Sequence, residues 1–155
     1  MPATIRLQTA DFDTAAETAL LMRGRTDVGA VVTFTGICRS DGAIAAMTLE
    51  LYPGMAEAEI ARHVAAAEAR WPLTGVTVIH RHGRLVPGDN IVLVATAASH
   101  RGDAFAAAEF VMDYLKTRAP FWKREERPDG TIWVESRAAD DASADRWARQ
   151  RQAAE

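Results

Sequence analysis

The residues best suited to chemistry lie between Asp113 and Arg127, in the stretch DYLKTRAPFWKREER. This stretch carries five basic and three acidic side chains on a chain whose formal net charge is −3. A local excess of positive charge on an acidic chain favours a small anionic ligand. Lys116 and Lys123 flank the turn signal at Pro120, so the chain can double back and bring the two amines together. Neighbouring ammonium groups depress each other's pKa, which prepares a lysine to act as a nucleophile or general base.

The same basic stretch also has a purely structural explanation. Lys116 and Arg118 can complement the C-terminal end of a helix dipole, while the remaining basic residues form a solvated strand face. Composition and spacing leave both explanations open.

A second candidate site is Ser99-His100-Arg101-Gly102-Asp103, at the start of a predicted helix. Cationic residues oppose the helix macrodipole there unless a bound anion accepts both the side chains and the free backbone N–H groups. This arrangement suits a phosphate. The alternative is that Ser99 or Asp103 caps the helix while His100 and Arg101 face solvent.

Arg39 lies in a loop after a predicted strand, between Gly36 and Gly42. Glycine permits close approach of a backbone to a ligand, and loops on a rigid sheet often carry function. An ordinary turn arginine is the alternative. Cys38 beside Arg39 raises the hypothesis of a nucleophilic thiol, because a neighbouring cation lowers a thiol pKa, although no triad-like spacing supports it.

Length and composition exclude several classes of protein. A chain of 155 residues without a linker or repeat is expected to form one domain over residues 1–155, with a loose or flexible tail at 138–155.

The net charge argues against nonspecific binding to nucleic acid or anionic membrane, and no apolar run approaches the ~18 residues of a membrane span. One cysteine fits a reducing compartment, and the first residues of the chain include acidic side chains and no unbroken apolar run of a secretory signal, so we expect a soluble, cytoplasmic protein. His80 and His82, on one predicted strand face, lack a third ligand, so no metal is predicted.

Three helices are predicted to support these sites. Thr14 and Glu17 form a capping box at the start of the first, and residues 55–71 form an amphipathic second helix. The third covers 103–118 and ends before Pro120. Its expected buried face consists of Phe105, Ala108, Met112 and Leu115.

The strand signals favour hairpins rather than parallel crossovers. Residues 28–36 and 44–52 look like paired strands joined by a polar loop, and 76–82 and 91–98 flank a turn at Pro87-Gly88-Asp89. FWKREE and TIWVE form a further hairpin around Pro128-Asp129-Gly130. Pairs of strands alternating with helices predict an α+β fold with mainly antiparallel sheets.

Several of these segments together resemble one family. TFTGICRS, MTLELYPGM, RWPLTGVTVIHRHGRLVPGD, ASHRGDAF and MDYLKTRAPFWKRE followed by WVE are similar to the large, catalytic subunit of molybdopterin synthase. The resemblance covers about residues 29–147. It implies an α/β-hammerhead type of α+β fold and a homodimer. Each end of that dimer would bind a small ubiquitin-like sulfur-carrier subunit, giving a heterotetramer.

The resemblance also implies a reaction. The carrier's C-terminal Gly-Gly thiocarboxylate would donate sulfur to cyclic pyranopterin monophosphate, and two successive transfers would form the dithiolene of molybdopterin for molybdenum cofactor biosynthesis. No metal or organic cofactor is implied, because the reactive sulfur arrives on the partner.

The family's functional positions map onto this chain residue by residue. Arg39, with His100 and Arg101 of the neighbouring protomer, would hold the substrate phosphate. Lys116, expected to be the essential group, and Lys123 would supply acid–base or covalent help. Further pocket positions are Ile37, Cys38 as a space-filling residue, Arg124 and Glu125, which would orient or neutralise a lysine. Residues implied to line the channel for the carrier tail are Phe34, Met112 and Arg137.

Two other functions compete with this one. A protein that only docks a ubiquitin-like tail would have no need of both lysines, Arg39 and the His100–Arg101 pair. An unrelated phosphate-ester enzyme would bind phosphorylated ligands without any partner protein.

Overall fold

The computed structural model describes residues 3–52, 54–134, 142 and 145–148 of the chain. Within these residues, helices and strands follow one another in the order β1 (Thr4–Gln8), α1 (Thr14–Met22), β2 (Ala30–Ile37), β3 (Ala46–Leu51), α2 (Met55–Arg70), β4 (Leu73–Arg81), β5 (Gly83–Leu85), β6 (Asn90–Ala98), α3 (Arg101–Thr117), β7 (Phe121–Arg127) and β8 (Gly130–Val134). No helix in this part of the chain is long and apolar enough to cross a membrane.

The strands form two four-stranded sheets. The first sheet has the order β1-β4-β6-β2, and the second has the order β5-β3-β7-β8. Only the β1–β4 pair is parallel among the strand pairs of the described residues. The predicted α+β class with mainly antiparallel sheets is therefore confirmed.

The predicted pairing of the strands at 28–36 and 44–52 is wrong. β2 pairs with β6 in the first sheet, whereas β3 lies between β5 and β7 in the second. Eight residues separate β2 from β3, too many for a tight turn to set the register. The Cys38 backbone bonds instead to the next turn, its N–H to the Asp89 carbonyl and its carbonyl to the Gly88 N–H.

The start of α1 also differs from prediction. Asp13, not Thr14, is the N-cap, and its carboxylate accepts the Ala16 N–H at 3.0 Å. Thr14 is the first helical residue, and Glu17 forms an ion pair with Arg6 of β1. Aspartate caps a helix at least as well as threonine does. With Asp13 as the N-cap, the third helical residue is Ala16, so the predicted capping box is not formed. Strands β1 and β5 were not predicted, because five and three residues carry little periodicity.

Helices α2 and α3 pack on one face of the first sheet. The fully buried aliphatic residues at this contact come from α2 (Ile60, Val64), α3 (Val111) and the sheet (Val78, Val94). Burying such side chains contributes roughly 1.5–3 kcal/mol each.

Phe105, expected in the core, is 62% exposed. The other three residues predicted for the buried face of α3, Ala108, Met112 and Leu115, are buried, and Ala104 and Ala107 join them. Small residues on this face let the helix lie close to the sheet. Trp147 packs edge-on against Trp71 and Phe110. The rest of the predicted tail mostly lies outside the described residues.

Candidate active site

A cavity of about 1040 Å³ opens where the C-terminal end of α3 meets both sheets. Strands β3, β4, β6, β7 and β8 and the loop after β2 complete its wall. Seven of the site residues predicted from the sequence line it: Ile37, Cys38, Arg39, Met112, Lys116, Lys123 and Glu125.

A tight turn brings the two lysines into this cavity. The Arg118 N–H caps the end of α3 on the Tyr114 carbonyl at 2.8 Å, and the Phe121 N–H bonds to the Ala119 carbonyl at 2.8 Å. The chain thus reverses within a few residues after α3. Lys116, on the last turn of the helix, and Lys123, on the strand that follows, both line the cavity.

Alternation along β7 decides which charges face the cavity. Lys123, Glu125 and Arg127 line it, whereas Arg124 does not. Arg124 points to the other face of the sheet, where it pairs with Glu50 at 2.9 Å and lies over the Trp133 ring. The structure therefore does not bring Arg124 together with the other predicted pocket residues.

Glu125 is the buried centre of a charge network, only 7% exposed. Arg127 donates to its Oε2 from Nη2 at 2.6 Å and from Nε at 3.0 Å, and donates to Asp41 at 3.0 Å. These bonds raise the pKa of the Arg127 guanidinium. A backbone bond from Ala43, followed by the bond from Arg127, holds the pKa of Asp41 below its usual value. Arg127 and Asp41 were missed as site residues, although period-two spacing from Lys123 points to Arg127.

Cys38 lies in the cavity wall but is 4% exposed. Burial, followed by the nearby Asp89 carboxylate, raises the pKa of its thiol. A thiolate is therefore disfavoured, contrary to the nucleophile hypothesis. Met47, Leu49 and Leu85 pack around the thiol.

His80 is a cavity residue that the site prediction missed. It is 6% exposed, and its ring stacks on Phe121 with 4.2 Å between centroids. Burial lowers its pKa to about 4, so the ring is neutral at physiological pH. His82 lies beyond the end of β4, so the predicted shared strand face is not formed. No three His, Cys, Asp or Glu side chains of the described residues are grouped as metal ligands.

His100 and Arg101 lie at the opposite end of α3 from Lys116. Lys116 lies fifteen positions after Arg101 in the helix, which is about 22 Å along the axis. His100 is the N-cap without a side-chain capping bond, and Ser99 donates instead to the Asp27 carbonyl. The proposed capping by Ser99 or Asp103 is therefore not formed, and both His100 and Arg101 are exposed.

The two remaining channel residues do not reach the cavity or cannot be placed. Phe34 is 40% exposed on β2, the edge strand of the first sheet, and is not part of the cavity wall. Arg137 lies outside the described residues.

Comparison with known proteins agrees with this architecture. The family model described as MoaE protein matches residues 7–118. The molybdopterin synthase catalytic subunit of Mesorhizobium japonicum is 60% identical over 147 residues, 93% of this chain and 92% of that protein. The solved molybdopterin biosynthesis MoaE protein of Burkholderia ambifaria has a TM-score of 0.82 and 55% identity, over 94% and 98% of the two chains. Molybdopterin synthase from Staphylococcus aureus has a TM-score of 0.76 and 30% identity, over 83% and 94%. The chain belongs to the MoaE family of molybdopterin synthase catalytic subunits.

Proposed function

We propose that this chain is the catalytic subunit of molybdopterin synthase and that its cavity is the place of sulfur transfer in molybdenum cofactor biosynthesis. The observation that carries the proposal is the convergence of Lys116, Lys123 and Arg39 in one cavity on an acidic chain. The substrate is cyclic pyranopterin monophosphate, whose phosphate requires cationic partners.

The sulfur donor is a small ubiquitin-like carrier with a C-terminal Gly-Gly thiocarboxylate. An extended glycine tail can pass between closely spaced side chains of the wall, because glycine has no side chain of its own. Met112 and Ile37 supply apolar wall inside the cavity. Phe34 lies on the first sheet's edge strand, so any contact it makes with the carrier is outside the cavity.

The two lysines supply the acid–base or covalent steps. In one transfer, the thiocarboxylate sulfur forms a bond to a side-chain carbon of the pterin while the bond from that carbon to a phosphate oxygen breaks, which opens the cyclic phosphate to a monoester. In the other transfer, the sulfur replaces a side-chain oxygen, which leaves as water. Water then cleaves each acyl–sulfur bond, so the sulfur stays on the pterin and the carrier leaves as a carboxylate. Lys116 is proposed as the essential group, touching the reacting atoms from the end of α3. Lys123 shares this work, and the buried Glu125 carboxylate 3.8 Å from its Nζ orients it.

His100 and Arg101 are proposed to act on the cavity of a second protomer in a homodimer. Their separation of about 22 Å from Lys116 prevents them from serving the cavity of their own chain. A homodimer with one carrier at each end forms a heterotetramer, in which every site contains residues from two copies of this chain.

Reconstitution tests the function directly. The protein is mixed with the thiocarboxylated carrier and the cyclic pterin precursor, and dithiolene formation is assayed for the wild type and for Lys116→Ala. We expect product from the wild type and a loss of at least about 100-fold in the variant. Absence of product from the wild type would reject the function. Full activity of Lys116→Ala would reject only the role of that lysine.

Mixed dimers test the shared site. Random pairing of Lys116→Ala with Arg101→Ala chains makes half of the dimers mixed, each with one intact site. About a quarter of wild-type activity should therefore return after subunit exchange, although each variant alone is inactive. No recovery in exchanged dimers would mean that Arg101 does not act across the interface.

A further inference from the structure

We propose that His80 is a positioning residue that holds the Lys116 ammonium in the cavity by accepting a hydrogen bond on its unprotonated Nε2. This inference deepens the proposed function and rests on it for the role of Lys116. His80 is not among the functional positions that the family resemblance implies.

The place of His80 in the fold is the first argument. It lies near the end of β4, in the first sheet, and its side chain reaches the cavity wall. Its ring stacks on Phe121, the first residue of the strand that carries Lys123. Lys116 and His80 both line the cavity. After burial, the positive charge of Lys116 is a further cause that lowers the pKa of the ring. One imidazole thus lies at the junction of both lysine-bearing elements.

The hydrogen bond of the ring determines its tautomer. Nδ1 lies 2.8 Å from the Arg81 carbonyl oxygen. A carbonyl only accepts, so Nδ1 must carry the proton. In the neutral ring Nε2 then has a lone pair and no hydrogen, which makes it an acceptor.

Burial keeps the ring in this form. With a pKa of about 4, lowered first by desolvation, His80 stays neutral at the pH at which a cell works. An imidazole with so low a pKa does not accept a proton from the Lys116 ammonium, so His80 does not act as a base towards that lysine. His80 therefore contributes a fixed hydrogen-bond acceptor, Nε2. The Arg81 carbonyl and the stack on Phe121 set the orientation of the ring.

Such an acceptor matters because the Lys116 side chain has four rotatable bonds. A lysine ammonium on a flexible stem loses catalytic efficiency when it samples several positions, and a displacement near 1 Å can cost about 100-fold in rate. An acceptor built into the sheet restricts the amine to one part of the cavity.

Imidazole ¹⁵N NMR tests the contact without any turnover. In the wild type, the His80 Nε2 resonance should be that of an unprotonated nitrogen shifted upfield by a hydrogen-bond donor. Lys116→Met should move it downfield, and Lys123→Met should leave it in place. His80→Gln identifies the signal by its loss. A resonance that is unchanged in Lys116→Met would overturn the proposal.

Two substitutions separate positioning from packing. The amide of His80→Gln can reach the position of Nε2 and retain an acceptor, whereas that of His80→Asn reaches only the position of Nδ1. We expect His80→Asn to lower kcat by about 10- to 100-fold with KM for the pterin within about twofold. His80→Gln should keep kcat within about threefold of wild type.

The opposite ranking, or equal loss in both variants, would overturn the positioning role. A wild type that forms no product would reject the proposed function, and the NMR comparison would still decide the contact. If a His80 variant does not fold, the Lys116→Met spectrum gives the answer on an unchanged imidazole.

Discussion

Glu125 Oε1 lies 3.8 Å from the Nζ of Lys123, inside the cavity wall. This separation is an ion pair rather than a close hydrogen bond, while the other carboxylate oxygen is held by Arg127 at 2.6 Å. Arg127 therefore fixes the carboxylate, and the carboxylate orients the lysine without engaging all of its donors. The amine remains able to contact a substrate.

Loss of the Glu125 charge should destabilise the protein. In Glu125→Gln, the Arg127 guanidinium loses a nearly buried anionic partner, so we expect the free energy of unfolding to fall by about 1–3 kcal/mol. Urea denaturation measures this change. Glu126→Gln is the matched control, because its pair with Arg84 is exposed and should be worth less than about 1 kcal/mol. Equal effects of the two substitutions would contradict the network.

Gly29 fits a position that no larger residue can occupy. A Cβ there would meet the Ser99 carbonyl oxygen at 2.0 Å, directly before His100. Gly29→Ala should therefore lower stability by about 1–3 kcal/mol and reduce activity by displacing the start of α3.

Gly102→Ala gives the control for that substitution, in the first turn of the same helix. A Cβ there has no neighbour within 4 Å, so alanine should be neutral or stabilise by up to about 1 kcal/mol. Thermal unfolding compares the two variants, and a Gly29→Ala melting temperature equal to that of wild type would refute the close contact.

Much of this fold follows from local signals. The β7–β8 hairpin was predicted from alternation and the Pro128-Asp129-Gly130 turn, and α2 from its apolar face. The placement of β2 and β3 in different sheets could not be predicted, because the sequence of neither strand identifies the strand with which it pairs. Pairing depends on contacts with β6 and β7, which are distant in sequence.

The site shows the same division. The turn signal at Pro120 was enough to predict that Lys116 and Lys123 lie close together. That Arg127 lines the cavity and Arg124 does not depends on which face of β7 is turned towards the cavity. His80 stacks on Phe121, forty-one residues away, so the sequence of β4 alone could not place it in the cavity wall.

His80 should make stability depend on pH. Its pKa is about 4 in the folded protein against 6.5 for an ordinary histidine, so the unfolded chain binds more protons between these values. This contribution to stability is present above pH 6.5 and is lost as the pH falls towards 4, by about 3 kcal/mol in all. His80→Phe, which retains an aromatic ring against Phe121, should flatten this part of the curve.

The measurement is the free energy of unfolding from urea titrations at several pH values. His100→Gln, at an exposed position, should keep the wild-type slope. A His80→Phe curve parallel to that of wild type between pH 6.5 and 4 would show that the imidazole is not buried as described.

Cys38 should be dispensable for turnover and slow to react. Its thiol is 4% exposed, and burial together with Asp89 raises its pKa, so the reactive thiolate is scarce at neutral pH. A thiol-specific reagent should label native protein far more slowly than urea-unfolded protein. Because the side chain fills space beside Met47 and Leu85, Cys38→Ala should cost about 1 kcal/mol of stability and keep more than about half of the activity. Complete loss of activity in a Cys38→Ala protein that keeps wild-type stability would instead identify the thiol as a participant in sulfur transfer, because loss of packing alone would also lower stability.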